Sequence, residues 1–173
     1  MEEKKIGYHG LPREYVKKTL ATQQMHESKK DNEWLGKGVY FFEYLAHAKW
    51  WVTHTRFEGR ETAILQALLS YNENQLLDLD DPEESRKINR LFSEIVSKRD
   101  VIANPFFLIE QPTDHQKCCF ICNVVRKLNP EIGIIIYTFP CDIDHNNSSV
   151  FQSNQRQICV SDHSIISDIK EVG

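Results

Sequence analysis

The sequence has no apolar run long enough to cross a bilayer. Its longest, Ile132 to Phe139, is broken by Gly133 and Thr138 and falls well short of the roughly 20 residues a spanning helix needs. A signal peptide's apolar core is missing as well, since Met1 leads into Glu2, Glu3, Lys4 and Lys5. The expected location is therefore cytoplasmic, with no membrane partner. Glycine and proline are scarce, 7 and 6 in 173 residues, which excludes collagen-like and low-complexity chains. There is no excess of positive charge: 21 Lys and Arg stand against 25 Asp and Glu, a net −4, so nothing follows from a strongly basic surface. The first 70 residues hold 11 basic against 9 acidic side chains, a bias that fits solvated surface better than a phosphate-binding face. Five cysteines, an odd number in a chain expected to sit in a reducing compartment, argue against a disulfide framework.

What is present is an ordinary globular mixture, 40% hydrophobic and 27% charged, in a length suited to one core. No repeat or linker interrupts it, so residues 1–173 are expected to form a single α+β domain. One metal-like spacing stands out: Cys119-x-x-Cys122, then Cys141-x-x-x-His145. Against it, Cys118 to Leu128 reads as an apolar helix through Phe120, Ile121, Val124 and Val125, where buried free thiols are common. No metal is expected.

Pattern and punctuation predict the elements. Lys5–Tyr8 is a strand candidate, stopped by Gly10 and Pro12; Pro12 opens a helix over Glu14–Thr22 with Tyr15, Val16 and Leu20 inward. Gln23–Glu33 is a polar loop. Trp34 to Glu43 is a Gly-flanked aromatic and β-branched strand, followed by a helix over Tyr44–Arg56 with Ala46, Trp50 and Thr53 inward. Thr62–Leu69 fits helix or strand alike, and Gln75–Leu79 is a strand. Asp81-Pro82 starts a helix reaching Lys98, with Asp81 as its N-cap. Val101–Gln111 is irregular, Asp114–Leu128 is a helix ended by Asn129-Pro130, and Gly133–Phe139 and Gln157–Ser161 are strands around a polar loop, Asp142–Asn154.

Three pieces together carry a likeness. Tyr8-His9-Gly10, Lys37-Gly38-Val39-Tyr40-Phe41 and Gln155-Arg156-Gln157-Ile158-Cys159-Val160 resemble the NAD-binding core of the ADP-ribosyltransferases. The nearest branch is that of diphtheria toxin and the poly-ADP-ribose polymerases, whose signature is His, Tyr and Glu on three strands. Trp34 to Phe42, Ala46, Ala48 and Trp50 are similar to a group of small bacterial toxins. The resemblance covers about residues 5–56 and 155–166. It implies a split antiparallel β-sheet core flanked by helices, with NAD as substrate.

The resemblance also implies roles. His9 hydrogen-bonds a ribose hydroxyl of the adenosine half, Gly10 lets the backbone approach the nicotinamide amide, and Tyr40 stacks on the nicotinamide ring. Tyr8, Phe42 and Gln155 complete the cofactor-binding set; His9, Tyr40 and Gln157 form the catalytic one. Period-2 alternation puts Tyr40 and Phe42 on one side and Phe41 in the core, and likewise Gln155 and Gln157 together with Arg156 turned away. Chemistry asks for such residues: nicotinamide departs through an oxocarbenium-like ribose, and a rigid dry pocket helps.

The third position departs from the family. Gln157 stands where the resemblance expects Glu; it can hydrogen-bond a ribose hydroxyl but supplies no full charge. Four readings stay open: an inactivating substitution, a native Gln resting on pocket geometry, another acid such as Glu43, or a catalytically inactive binder. The expectation is a mono-ADP-ribosyltransferase of toxin–antitoxin or phage-defence type, with an antitoxin partner and a nucleic-acid base slightly favoured over protein as acceptor. Arg13, Lys17, Lys18, Lys29, Lys30, Arg56 and Arg60 are candidates for a phosphate track, and Trp34, Trp50 and Trp51 for stacking. The alternative is a module of the same fold that binds NAD, ADP-ribose or a protein without turnover.

Overall fold

Alternation decides the stretch that fits helix or strand alike. Ala63, Leu65, Ala67, Leu69 and Tyr71 are buried on one side of a strand running Thr62–Asn72. Ile64 is buried on the other side, because both faces of this strand are covered at that end. The computed structural model describes residues 1–54, 57, 59–140 and 154–173. Among them are seven strands: β1 (Glu2–Pro12), β2 (Val39–Phe42), β3 (Thr62–Asn72), β4 (Leu76–Asp78), β5 (Ile134–Pro140), β6 (Asn154–Val160) and β7 (Ile166–Val172). The helices are α1 (Arg13–Thr22), α2 (Leu45–His54), α3 (Pro82–Ser97) and α4 (Asp114–Leu128). Mixed α/β architecture is thus observed. No helix among the described residues is long and apolar enough to cross a membrane.

The strands form one sheet in the order β4-β5-β6-β2-β1-β3-β7. Every neighbouring pair is antiparallel except β4 and β5, and the parallel pair needs a long crossover, which α3 and α4 provide. Asp81 caps α3 by accepting from the Glu83 amide at 2.7 Å, and Thr113 with Gln116 forms a capping box on α4.

The sheet has two covered faces. One carries Phe41, Leu65, Ile136 and Ile158 under α1 and the loop through Met25. The other is divided. Toward β3, Phe42, Ala48 and Ile64 pack with Tyr8, Leu45 and Trp51 beneath α2. Toward β4, Leu35, Leu77, Ile121, Cys122, Val125, Ile135 and Cys159 pack with Trp34, Tyr40 and Phe139 beneath α3 and α4. The two clusters meet at β2, where Phe42 belongs to the first and Tyr40 packs against the second.

Several expectations need correction. β1 does not stop at Gly10: it runs through to Pro12, because all eleven of its residues are in register with β3. On α1 the buried residues are Val16 and Thr19, while Tyr15 is exposed. On α2 they are His47, Ala48 and Val52; Ala46 and Thr53 face outward. The helix is turned because Gly10 leaves a gap that Val52 and Trp51 fill: a Cβ there would lie 2.3 Å from Val52 Cγ1. We expect Gly10→Ala to lower stability by about 1–3 kcal/mol, the usual cost of overpacking. Val52→Ala in the same chain should recover part of that loss, and unfolding midpoints of the four variants in the cycle check it. β7 escapes the sequence pattern altogether. It is an edge strand studded with Asp168, Lys170 and Glu171, and its pairing with β3 is interrupted by a bulge at Gln66/Leu68.

Candidate active site

Registers align a row of side chains across the divided face. Tyr137 is opposite Gln157, Gln157 opposite Phe42, Phe42 opposite Tyr8 and Tyr8 opposite Gln66. Directly paired residues point to the same side, so Tyr8, Phe42 and Gln157 share one surface. One step along, Tyr40 is opposite Cys159. Phe41 is fully buried on the other face, as alternation requires.

β1 and β2 are joined through a single pair, Tyr8↔Phe42, and then part. His9 Nδ1 lies 2.7 Å from the Tyr40 carbonyl oxygen at this seam. A carbonyl only accepts, so Nδ1 carries the proton and Nε2 is the acceptor in the neutral ring. By alternation His9 falls opposite Leu65, and its ring lies 5.9 Å from Phe41. His9 therefore tethers the seam from the face opposite Gln157, while Tyr8 shares the Gln157 face. Gly10 has a packing reason of its own, the approach of α2.

The segment before β2 is built around glycine. Gly36 has φ +81 and a Cβ there would meet Asn123 Oδ1 at 2.7 Å; Gly38 has φ +154 and would meet the Val160 carbonyl at 2.6 Å. The Tyr40 hydroxyl closes the turn, donating to the Gly36 carbonyl at 2.6 Å and accepting from the Leu35 amide at 2.9 Å. Burial, then the neighbouring Cys159, pushes the Tyr40 phenol far above its ordinary range. The Tyr40 hydroxyl is thus held neutral in the turn, as donor to Gly36 and acceptor from Leu35.

Arg126 of α4, which motif reasoning missed, holds the same turn. Its Nη1 donates to the Leu35 and Lys37 carbonyls at 3.1 and 2.8 Å, and Nη2 to the Cys159 carbonyl at 3.2 Å. Asn123 accepts from the Lys37 amide at 3.0 Å. The signal for Arg126 was its place in the last turn of an otherwise apolar helix face. We expect Arg126→Met to cost about 2–4 kcal/mol by stripping donors from half-buried carbonyls. Arg126→Lys should not restore it, since an ammonium lacks the guanidinium fork; urea midpoints test both.

Gln157 Nε2 donates to Gln155 Oε1 at 2.9 Å. Gln155 is only 5% exposed, and its Nε2 is buried without a hydrogen-bond partner among the described residues. Arg156 turns the other way and binds Asp78 at 2.6 Å, Asp80 at 3.2 Å and Glu43 at 3.9 Å. Glu43 is also bound to Lys5 at 2.7 Å. Glu43 therefore lies on the face opposite Gln157 and is engaged by two cations, which corrects the reading of it as a substitute acid. The residues that β2, β5 and β6 present on Gln157's face carry no carboxylate.

The remaining candidates scatter. Trp51 packs against Phe42 (6.0 Å) and Trp50 stacks on His54 (5.1 Å, 9°), so only Trp34 stands apart from α2. Arg13 pairs with Glu171 at 2.5 Å and Lys29 with Glu27 at 3.1 Å; Arg56 lies outside the described residues. Arg13 and Lys29 are thus each engaged by a carboxylate among the described residues. Cys119 and Cys122 are buried in the cluster under α4, and burial pushes the Cys122 thiol up to about 12, which leaves it inert. Cys141 and His145 lie outside the described residues, and no group of three or more metal-ligating side chains converges among the others.

No family model matches the chain, and no solved structure matches it. Over 92 residues it is 28% identical to the uncharacterized protein MJ0359 of Methanocaldococcus jannaschii, a stretch covering 51% of this chain and 43% of that protein. The chain thus spans less than half the length of that relative, and the likeness carries no activity with it.

Proposed function

We propose that the divided face is an NAD site and that the protein is a mono-ADP-ribosyltransferase with the split-sheet core of that family. One observation carries this reading: β1 and β2 meet at the single pair Tyr8↔Phe42 and then part, with Tyr40 and Gln157 on one face beside that seam and His9 tethering it from the other. Half-buried Tyr40 offers aromatic surface to a cationic ring, Gln157 offers an amide to a ribose hydroxyl, and Phe42, buried against Trp51, backs the site from the core. In the reaction the bond between ribose C1′ and the nicotinamide nitrogen breaks, and its electron pair leaves with neutral nicotinamide. An acceptor lone pair then forms the new bond to C1′, and the acceptor's proton passes to solvent. Toxin–antitoxin or phage-defence service follows from the resemblance and is part of the same proposal.

A specific observation also favours the second reading, an inactive binding module: Gln157 has no carboxylate beside it on β2, β5 or β6. Incubation with adenylate-labelled NAD and total RNA, DNA and cell protein separates the two. Label transfer that depends on Tyr40 supports the transferase; NAD binding without transfer or nicotinamide release supports the module.

A further inference from the structure

Nicotinamide needs no acid to leave, but a hydroxyl or amine acceptor must lose a proton as it bonds to ribose C1′. No carboxylate on β2, β5 or β6 shares the face of Gln157 to receive it. One buried titratable group is unused by the site as built so far. His47 of α2 is only 7% exposed, and its Nδ1 is sealed off without a hydrogen-bond partner. A buried polar atom left unpaired calls for a reason. Nε2 makes no hydrogen bond among the described residues either, and it keeps access to solvent.

Two routes place His47 beside Gln157. Trp51, four residues on, shares its helical stripe and packs on Phe42 at 6.0 Å; Phe42 is paired with Gln157. The Tyr44 ring meets the His47 ring edge-on at 5.6 Å, and the Glu43 amide carries the β2–β6 ladder on to the Arg156 carbonyl at 3.2 Å. That register sets Tyr44 next to Gln155. Lys49, on the other flank of α2, lines a groove with Ile64, Glu171 and Val172, so the His47 flank is the one turned to the divide.

We propose that His47 is the base of the transfer step and that the acceptor is a protic hydroxyl or amino group. This rests on the transferase reading. With the ring proton on the sealed Nδ1, the lone pair is on Nε2. As the acceptor's lone pair bonds to C1′, the C1′–nicotinamide bond breaks with its electron pair leaving on nicotinamide. The acceptor's proton passes to Nε2 and from there to solvent. Burial holds the imidazole below its ordinary value of 6.5, so the ring is a free base at neutral pH. On that side of α2 the titratable neighbours are Tyr44 and, from β1, Tyr8; β2 and β3 contribute Phe42 and Ile64. Glu43, Lys5 and Arg156 engage one another on the opposite face.

The test is nicotinamide release from NAD with water, methanol or azide as the nucleophile. Azide arrives as an anion and needs no base. His47→Gln should slow release into water and methanol by about a hundredfold or more. Azide should restore release to within tenfold of the parent in azide, with ribosyl azide as product, and that recovery also reports an intact fold. Should His47→Gln not fold, the parent's pH profile decides. Release into water should rise with pH and level off below 6.5, as the ring loses its proton, while release into azide stays flat over that range. A His47→Gln variant that matches the parent in water would overturn the proposal. So would equal losses in water and azide in a variant that still binds NAD, or one pH profile for both nucleophiles. Release that ignores His47 removes the base and leaves the transferase reading standing. No release from the parent with any of the three nucleophiles overturns both.

Discussion

Replacing Gln157 by glutamate is expected to raise nicotinamide release from NAD by roughly ten- to a thousandfold, with NAD affinity nearly unchanged. On the proposed reading, a full negative charge would then stand beside the oxocarbenium-like ribose in place of a neutral amide. The change is also compatible with the fold. Gln157 at present donates to Gln155 Oε1, leaving Gln155 Nε2 buried and unpartnered among the described residues. With a carboxylate at 157, the Gln155 amide can turn over and donate that nitrogen to it, so stability should hold or rise. Pre-steady-state release of nicotinamide, followed by chromatography, reads the rate. A slower Gln157→Glu variant would make glutamine the evolved catalytic residue. No effect from either Glu or Ala would remove β6 from the site, and Glu43, bound to Lys5 and near Arg156 on the other face, offers no replacement.

The second large effect is expected at Tyr40, and it takes two variants to see it. Tyr40→Ala removes both the ring face and the hydroxyl that closes the Gly36 turn, so loss of turnover by itself would be ambiguous. Tyr40→Phe keeps the ring and drops only the hydroxyl. It should cost about 1–3 kcal/mol of stability while turnover stays within an order of magnitude. Tyr40→Ala, assayed below its own unfolding temperature, should lose about a hundredfold or more, the scale of a reactant held out of position. Equal turnover in Tyr40→Ala and parent removes the ring from the site. Equal losses in both variants would assign Tyr40 to the turn rather than to NAD.

Local chemistry made much of this legible. Asp81-Pro82 capped α3 where expected, α4 ran from Asp114 to Leu128, and period-2 alternation separated Phe41 from Tyr40 and Phe42, and Arg156 from Gln155 and Gln157. What stayed hidden was set by distant partners. Thr62–Asn72 hides its period because both faces are covered, and β7 lacks a pattern because it is a charged edge. α2 is rotated by a vacancy at Gly10, thirty-five residues before its first turn, which no helical pattern within α2 encodes. Arg126, Tyr137 and Phe139 came to the site through register and tertiary contact, and each looks ordinary in its own element. His9 shows the limit of motif reasoning most clearly: the motif groups it with Tyr40, and the ladder puts its side chain across the sheet from Gln157.

Saturation-transfer NMR on NAD reports binding at this face without requiring turnover. In the parent protein the nicotinamide-ring protons should receive saturation, Tyr40→Ala should abolish the effect, and Glu43→Gln, changed on the opposite face, should leave it intact. No transfer to NAD at millimolar concentration, or equal transfer in parent and Tyr40→Ala, would contradict an NAD site at the divide between α2 and α4.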